Sequence, residues 1–125
     1  MTAHGPGAVR VLVTGGRDYR DAKAVADALD TVRARYPTAT IVHGAARGAD
    51  RLADSCARAL GLRVEAYPAD WTRFGRAAGI IRNQRMLASG VDLVLAFPGG
   101  IGTADMVRRA QKAGVAVELI GSAVG

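Results

Sequence analysis

The chain has 125 residues, enough for one ordinary domain and too few for two. Half of it is hydrophobic but only 5% aromatic, and its 25 Ala and 16 Gly predict an aliphatic core of closely packed helices. With 17 basic and 11 acidic residues the net charge is +6; one cysteine excludes an intramolecular disulfide framework or a cysteine-built zinc site, and no apolar run approaches the ~20 residues of a membrane span.

Residues 1–7 lack the basic start and apolar stretch of a signal peptide and are expected to be a flexible tail before a single cytoplasmic domain spanning the chain. Residues 9–14 (VRVLVT) predict a strand that stops at Gly15 and Gly16. Ala22, Val25, Ala26, Leu29, Val32 and Tyr36 recur at helical spacing until Pro37. Residues 40–43 form a second predicted strand, followed by the loop 44–48 and a helix with Ala49, Leu52, Ala53, Cys56 and Leu60 on one face. Gly61 ends that helix, and residues 63–67 predict a third strand stopped by Pro68. An Arg- and Gly-rich loop leads to a helix over about 79–89, then a strand over 92–97. The segment Pro98-Gly-Gly-Ile-Gly-Thr103 is expected as a strand-to-helix loop, with a helix over about 104–113 and a last strand over 115–120.

Five apolar strands separated by helices predict right-handed crossovers and a parallel sheet covered on both faces. The expected fold is an α/β, Rossmann-like three-layer sandwich with a five-stranded sheet in the order 3-2-1-4-5. Ligands of such sheets bind beyond the carboxyl ends of the strands, where the order reverses. Here that is between the first and fourth strands, which lead into the two richest glycine loops.

The chemistry expected at that edge is anion binding. Pro98, Gly99, Gly100, Gly102 and Thr103 would let backbone amides and a helix start approach a phosphate, although the pattern is neither a P-loop nor a dinucleotide fingerprint. Gly15, Gly16, Arg17 and Asp18 would face it, Arg17 toward phosphate and Asp18 toward a sugar hydroxyl. Gly44 lies on a third loop of the same edge, where His43 and Asp50 are read as structural. The window 68–91 holds four Arg against one acid, Asp70, and so carries +3 of the charge. In it Arg82 could bind phosphate, Asn83 could read a base or ribose, and Trp71 could stack on a base or plug a core edge. Cys56 is read as a buried structural thiol, and no metal site or resident cofactor is expected.

GGRDY at 15–19, HGAARGAD at 43–50, YPADW at 67–71, AGIIRNQRML at 78–87 and AFPGGIGTADM at 96–106 together resemble the YspA, or cpYpsA-related, SLOG family. The resemblance runs in order along nearly the whole chain. It implies a Rossmann-like domain binding a nucleotide or nucleotide-derived ligand, in many members as a sensor or effector. The same superfamily includes DNA-processing protein A and the Lonely Guy phosphoribohydrolases, whose motifs are R-K-x-x-M and P-G-G-x-G-T-x-x-E. Arg82 and Met86 fit the first motif with Asn83 in place of Lys, and Met106 stands where the catalytic Glu would be. A thioether cannot serve as acid or base. The leading expectation is therefore a small-molecule nucleotide binder, with homodimerisation plausible by analogy and no membrane partner. An N-glycosidase using Arg82 with another carboxylate (Asp105, Asp18 or Asp70) is the alternative. A single-stranded nucleic-acid binder is the least supported reading, because interleaved aromatic platforms are not visible.

Overall fold

A computed structural model describes residues 9–121; the expected tail at 1–7 lies outside them. Short β-branched runs alternate with alanine-rich amphipathic stretches, and each run becomes a strand and each stretch a helix. The order is β1 (Arg10–Thr14), α1 (Ala22–Arg35), β2 (Thr40–His43), α2 (Ala49–Ala59), β3 (Arg63–Ala66), α3 (Trp71–Phe74), a 3-10 turn (Gly75–Ala77), α4 (Ala78–Ala88), β4 (Leu93–Ala96), α5 (Ile101–Lys112) and β5 (Ala116–Leu119). All strand pairs are parallel and the sheet order is β3-β2-β1-β4-β5. This is the α/β, Rossmann-like arrangement expected from the pattern.

β1 lies at the centre, buried along its whole length, with Leu12 level with Val42 on one side and Val94 on the other. Alternate β1 side chains feed opposite faces. Val11 and Val13 pack with Val25, Leu29 and Val32 of α1 and with Ala49, Ala53 and Ala57 of α2. Leu12 packs with Met86 of α4 and with Met106 and Ala110 of α5. The three α2 alanines are fully buried at four-residue spacing, so the small side chains anticipated from composition bring that helix close to the sheet.

Two segments differ from expectation. The Arg- and Gly-rich stretch after Pro68 is not all loop: the Asp70 carboxylate accepts from the Arg73 N–H at 3.0 Å and starts α3, which Gly75 ends at φ +54°. The last helix begins at Ile101 rather than near 104, capped by Gly100 without a side-chain bond, so Thr103 lies in its first turn and is not its cap.

Candidate functional site

The carboxyl ends of β1 and β4 and the start of α2 are tied together by glycine backbone. At Gly15, a Cβ would stand 2.5 Å from the Ala49 Cβ and 3.0 Å from the Phe97 Cβ. The missing side chain is what lets α2 and the end of β4 close on β1. Gly16 donates its N–H to the Pro98 carbonyl at 2.9 Å, and its own carbonyl accepts from Tyr19 and Ala49. The first glycine loop is thus a knot between neighbouring strand ends, and Gly16 keeps neither backbone group for a ligand. Arg17 and Asp18 emerge from it exposed.

The loop after β2 is braced from beneath. The buried Asp50 carboxylate accepts from the N–H groups of Gly44 and Ala46, at 3.1 and 3.2 Å. Between them the Ala45 N–H donates to His43 Nδ1 at 2.9 Å, which places the ring proton on Nε2, facing Asp54 at 2.7 Å. Ala45 sits at φ +58°, the single non-glycine residue with positive φ among those described, and these bonds hold it there. Burial pushes the Asp50 carboxyl above its usual range, against the bonds from Ala46 and Gly44, and its Oδ1 is buried without a partner. His43 and Asp50 are structural, as read from sequence. All three loop amides point inward, so Gly44 offers no N–H to a ligand.

Arg82 reaches this loop from α4. It donates from Nη1 to the Gly44 carbonyl and from Nε to the Asn83 amide oxygen, at 3.0 Å in the second case. Both acceptors are neutral. Burial pushes the Arg82 pKa below the ordinary arginine value and the neighbouring Arg17 cation acts in the same direction, while Asp50 opposes them. Asn83 is itself buried, and its Nδ2 donates to the Gly102 carbonyl and to Asp105 at 3.3 and 3.2 Å. With both ends of its amide engaged, Asn83 does not face a ligand as anticipated. It positions Arg82 and ties α4 to the start of α5.

A cleft of about 450 Å³ opens above these residues, with Arg17, Gly44, Arg47, Arg51, Trp71 and Arg82 in its wall. Four guanidinium groups therefore converge on one space. Trp71 is 48% exposed, so it is no core plug, and Arg17 lies over its ring at 5.4 Å. The structure brings together Arg17, Gly44, Trp71 and Arg82 as expected, over the ends of β1 to β3 rather than between β1 and β4. Pro98, Gly99, Gly100, Gly102 and Thr103 adjoin this cleft through Gly16 and Asn83 without lining it. Gly99 is packed on the first glycine loop, where a Cβ would stand 2.6 Å from the Gly16 nitrogen. Gly100 and Gly102, by contrast, have nothing within 4 Å of a Cβ position.

None of the carboxylates considered for catalysis lines the arginine cleft. Asp105 is buried, 4% exposed, and is held by Arg108 and Arg109 at 2.9 Å as well as by Asn83. Met106 is fully buried in the core. The Asp18 side chain is 95% exposed, and Asp70 caps α3. Cys56 is half-buried on α2, where burial raises its thiol pKa. Arg47 and Arg51 were not anticipated. Their signal lay in HGAARGADR, where the inward-facing His43 and Asp50 leave the intervening and following arginines to the solvent side.

A model of the YspA, cpYpsA-related SLOG family matches residues 9–74. The chain is 46% identical over 116 residues to the Gene 61 protein of Mycobacterium phage D29, covering 86% of this chain and 93% of that protein. Among solved structures it resembles TM1055, a structural-genomics target, with TM-score 0.67 and 20% identity over 87% of this chain and 72% of that one. It also resembles DNA processing protein A from Streptococcus pneumoniae, with TM-score 0.54 and 18% identity over 89% of this chain and 58% of that one. At these identities the two solved structures report on the fold.

Proposed function

Because the chain belongs to the YspA, cpYpsA-related SLOG family, we propose that it binds a nucleotide or nucleotide-derived ligand through its phosphate, as a sensor or effector domain rather than an enzyme. The observation that carries this reading is Arg82: a half-buried cation bonded to two neutral oxygens, in a cleft shared with Arg17, Arg47 and Arg51. Partly desolvated charge is stabilised by a counter-charge, and a phosphate supplies it. The guanidinium fork suits phosphate oxygens better than a lysine would. Trp71 offers a base its exposed ring. The helix start at residues 100–103 lies beside the cleft without lining it, linked through Asn83, and its partial positive charge favours an anion nearby.

The test is a calorimetric or thermal-shift comparison of adenosine monophosphate, adenosine diphosphate and ADP-ribose with adenosine. Phosphorylated compounds should bind and adenosine far less. Equal response to adenosine and its phosphates, or none to any of them, overturns the phosphate site. Incubation with adenosine monophosphate should release no free adenine by chromatography. Release that Arg82→Ala abolishes would establish a glycosidase instead. Homodimerisation, which the family resemblance makes plausible, is read in the same samples by light scattering.

A further inference from the structure

A second cavity of about 230 Å³ adjoins the arginine cleft, and the two share Pro68 and Arg82. Free-standing ligand pockets hold roughly 300–1,000 Å³. The larger cleft lies in that range and the smaller one falls below it, so the smaller is a side chamber with room for one ring. Its wall is mixed: Ala66, Tyr67, Phe74 and Ile81 supply apolar surface, and Asp70 and Arg85 join Arg82 as its charged groups. The Arg85 guanidinium lies 5.4 Å from the Phe74 ring centroid, a planar cation already held beside an aromatic face. Asp70 uses Oδ1 to cap α3 and retains acceptor capacity for an amino group.

Resting on the phosphate site proposed above, we infer that the ligand is a dinucleotide. Its linking phosphate lies at Arg82, one base stands against Trp71 in the arginine cleft, and an amino-bearing base occupies the side chamber between Tyr67, Ile81 and Arg85. A single nucleotide fills the cleft and leaves the chamber empty. One base in the cleft and one in the chamber use the space these two cavities offer, so a longer strand should gain nothing further.

Calorimetric titration with adenosine monophosphate, the dinucleotide pApA and the tetranucleotide pApApApA tests this on the wild type, Ala66→Leu and Arg85→Ala. Ala66 is exposed at the end of β3 and Arg85 is exposed on α4, so neither change touches the core. One stacked base is worth roughly ten- to a hundredfold in affinity. The dinucleotide should exceed the mononucleotide by about that factor, and the tetranucleotide should match the dinucleotide. Both variants should lose the dinucleotide's advantage and keep the mononucleotide's affinity. Equal affinities for mono- and dinucleotide in the wild type overturn the inference and leave the phosphate site standing. An advantage that survives both variants also overturns it, and an affinity that climbs again with the tetranucleotide identifies a strand-binding groove instead. Failure of all three compounds to bind overturns the phosphate site itself.

Discussion

At the scale of single residues, Arg82 couples structure to recognition. It bridges α4 to the end of β2 through two neutral oxygens, with the Asp50 carboxyl acting on it only through space. Arg82→Ala should weaken binding of a phosphorylated nucleotide by about ten- to a hundredfold, since a hydrogen bond to a charged group contributes about 1.5–3 kcal/mol. The fold should lose little, because removing a partly desolvated cation offsets two lost hydrogen bonds. Calorimetry checks the first expectation and urea unfolding the second. Arg108→Ala serves as the control, its guanidinium 70% exposed and paired with Asp105 outside the cleft. Arg17, Trp71 and Arg82, each read from sequence as a candidate ligand contact, share the wall of one cleft. The positioning role of Asn83 was not legible in the sequence, because its neighbour Arg82 offered a ligand role while nothing in the sequence showed Gly102 and Asp105 packed against its amide. Arg47 and Arg51 read as solvated surface for the same reason: exposure is visible in sequence, convergence is not.

Elements are where the glycines separate into two kinds that look identical as letters. Gly15 serves the junction of β1, β4 and α2, whereas Gly100 caps α5 and faces open space at φ −100°. Gly15→Ala should destabilise the fold by about 1–3 kcal/mol, the range for forcing extra carbon into a packed site. Gly100→Val should change stability far less, yet weaken nucleotide binding if phosphate reaches the α5 start. Denaturant midpoints and titrations of the same two variants separate the roles; a Gly15→Ala protein as stable as wild type would show that the junction yields. Asp105 makes a second element-level contact, joining α5 to Asn83 of α4. Burial raises its pKa, but bonds from Arg109 and Asn83, with the Arg109 and Arg108 charges, outweigh burial and hold the carboxyl below its usual range. A depressed folded pKa gives stability that is present above the unfolded value, ~3.9, and lost as pH falls through the folded one. Asp105→Asn should therefore cost about 1–3 kcal/mol near neutral pH, and its difference from wild type should shrink below about pH 4. A difference unchanged between neutrality and acid would contradict the ion-pair account. The five strands and the four longer helices were legible as apolar runs and helical spacing, while α3 was read as loop and the α5 start was missed because a glycine-rich helix turn reads as loop.

For the molecule as a whole, the sheet order was legible because five apolar runs with helical crossovers leave few arrangements, of which 3-2-1-4-5 is the favoured doubly wound one. The position of the cleft was less so: it depends on how far α4 side chains reach over the sheet edge, which strand order alone does not state. The central place of β1 has a consequence for synthesis. β1 leaves the ribosome before the other four described strands and pairs with β2 on one side, but its other neighbour is β4, more than 75 residues later in the chain. Until residues 93–96 emerge, the nascent chain carries a bare apolar edge at the heart of its future sheet, a template for unwanted pairing. The stretch 9–74 matched by the family model lacks β4, the strand that covers the other side of β1. A chain ending at Gly90 should aggregate on expression while the full chain stays soluble, as sedimentation of the two lysates would show. A soluble, cooperatively unfolding 1–90 fragment would mean that β1 tolerates an open side and that the nascent chain needs no protection.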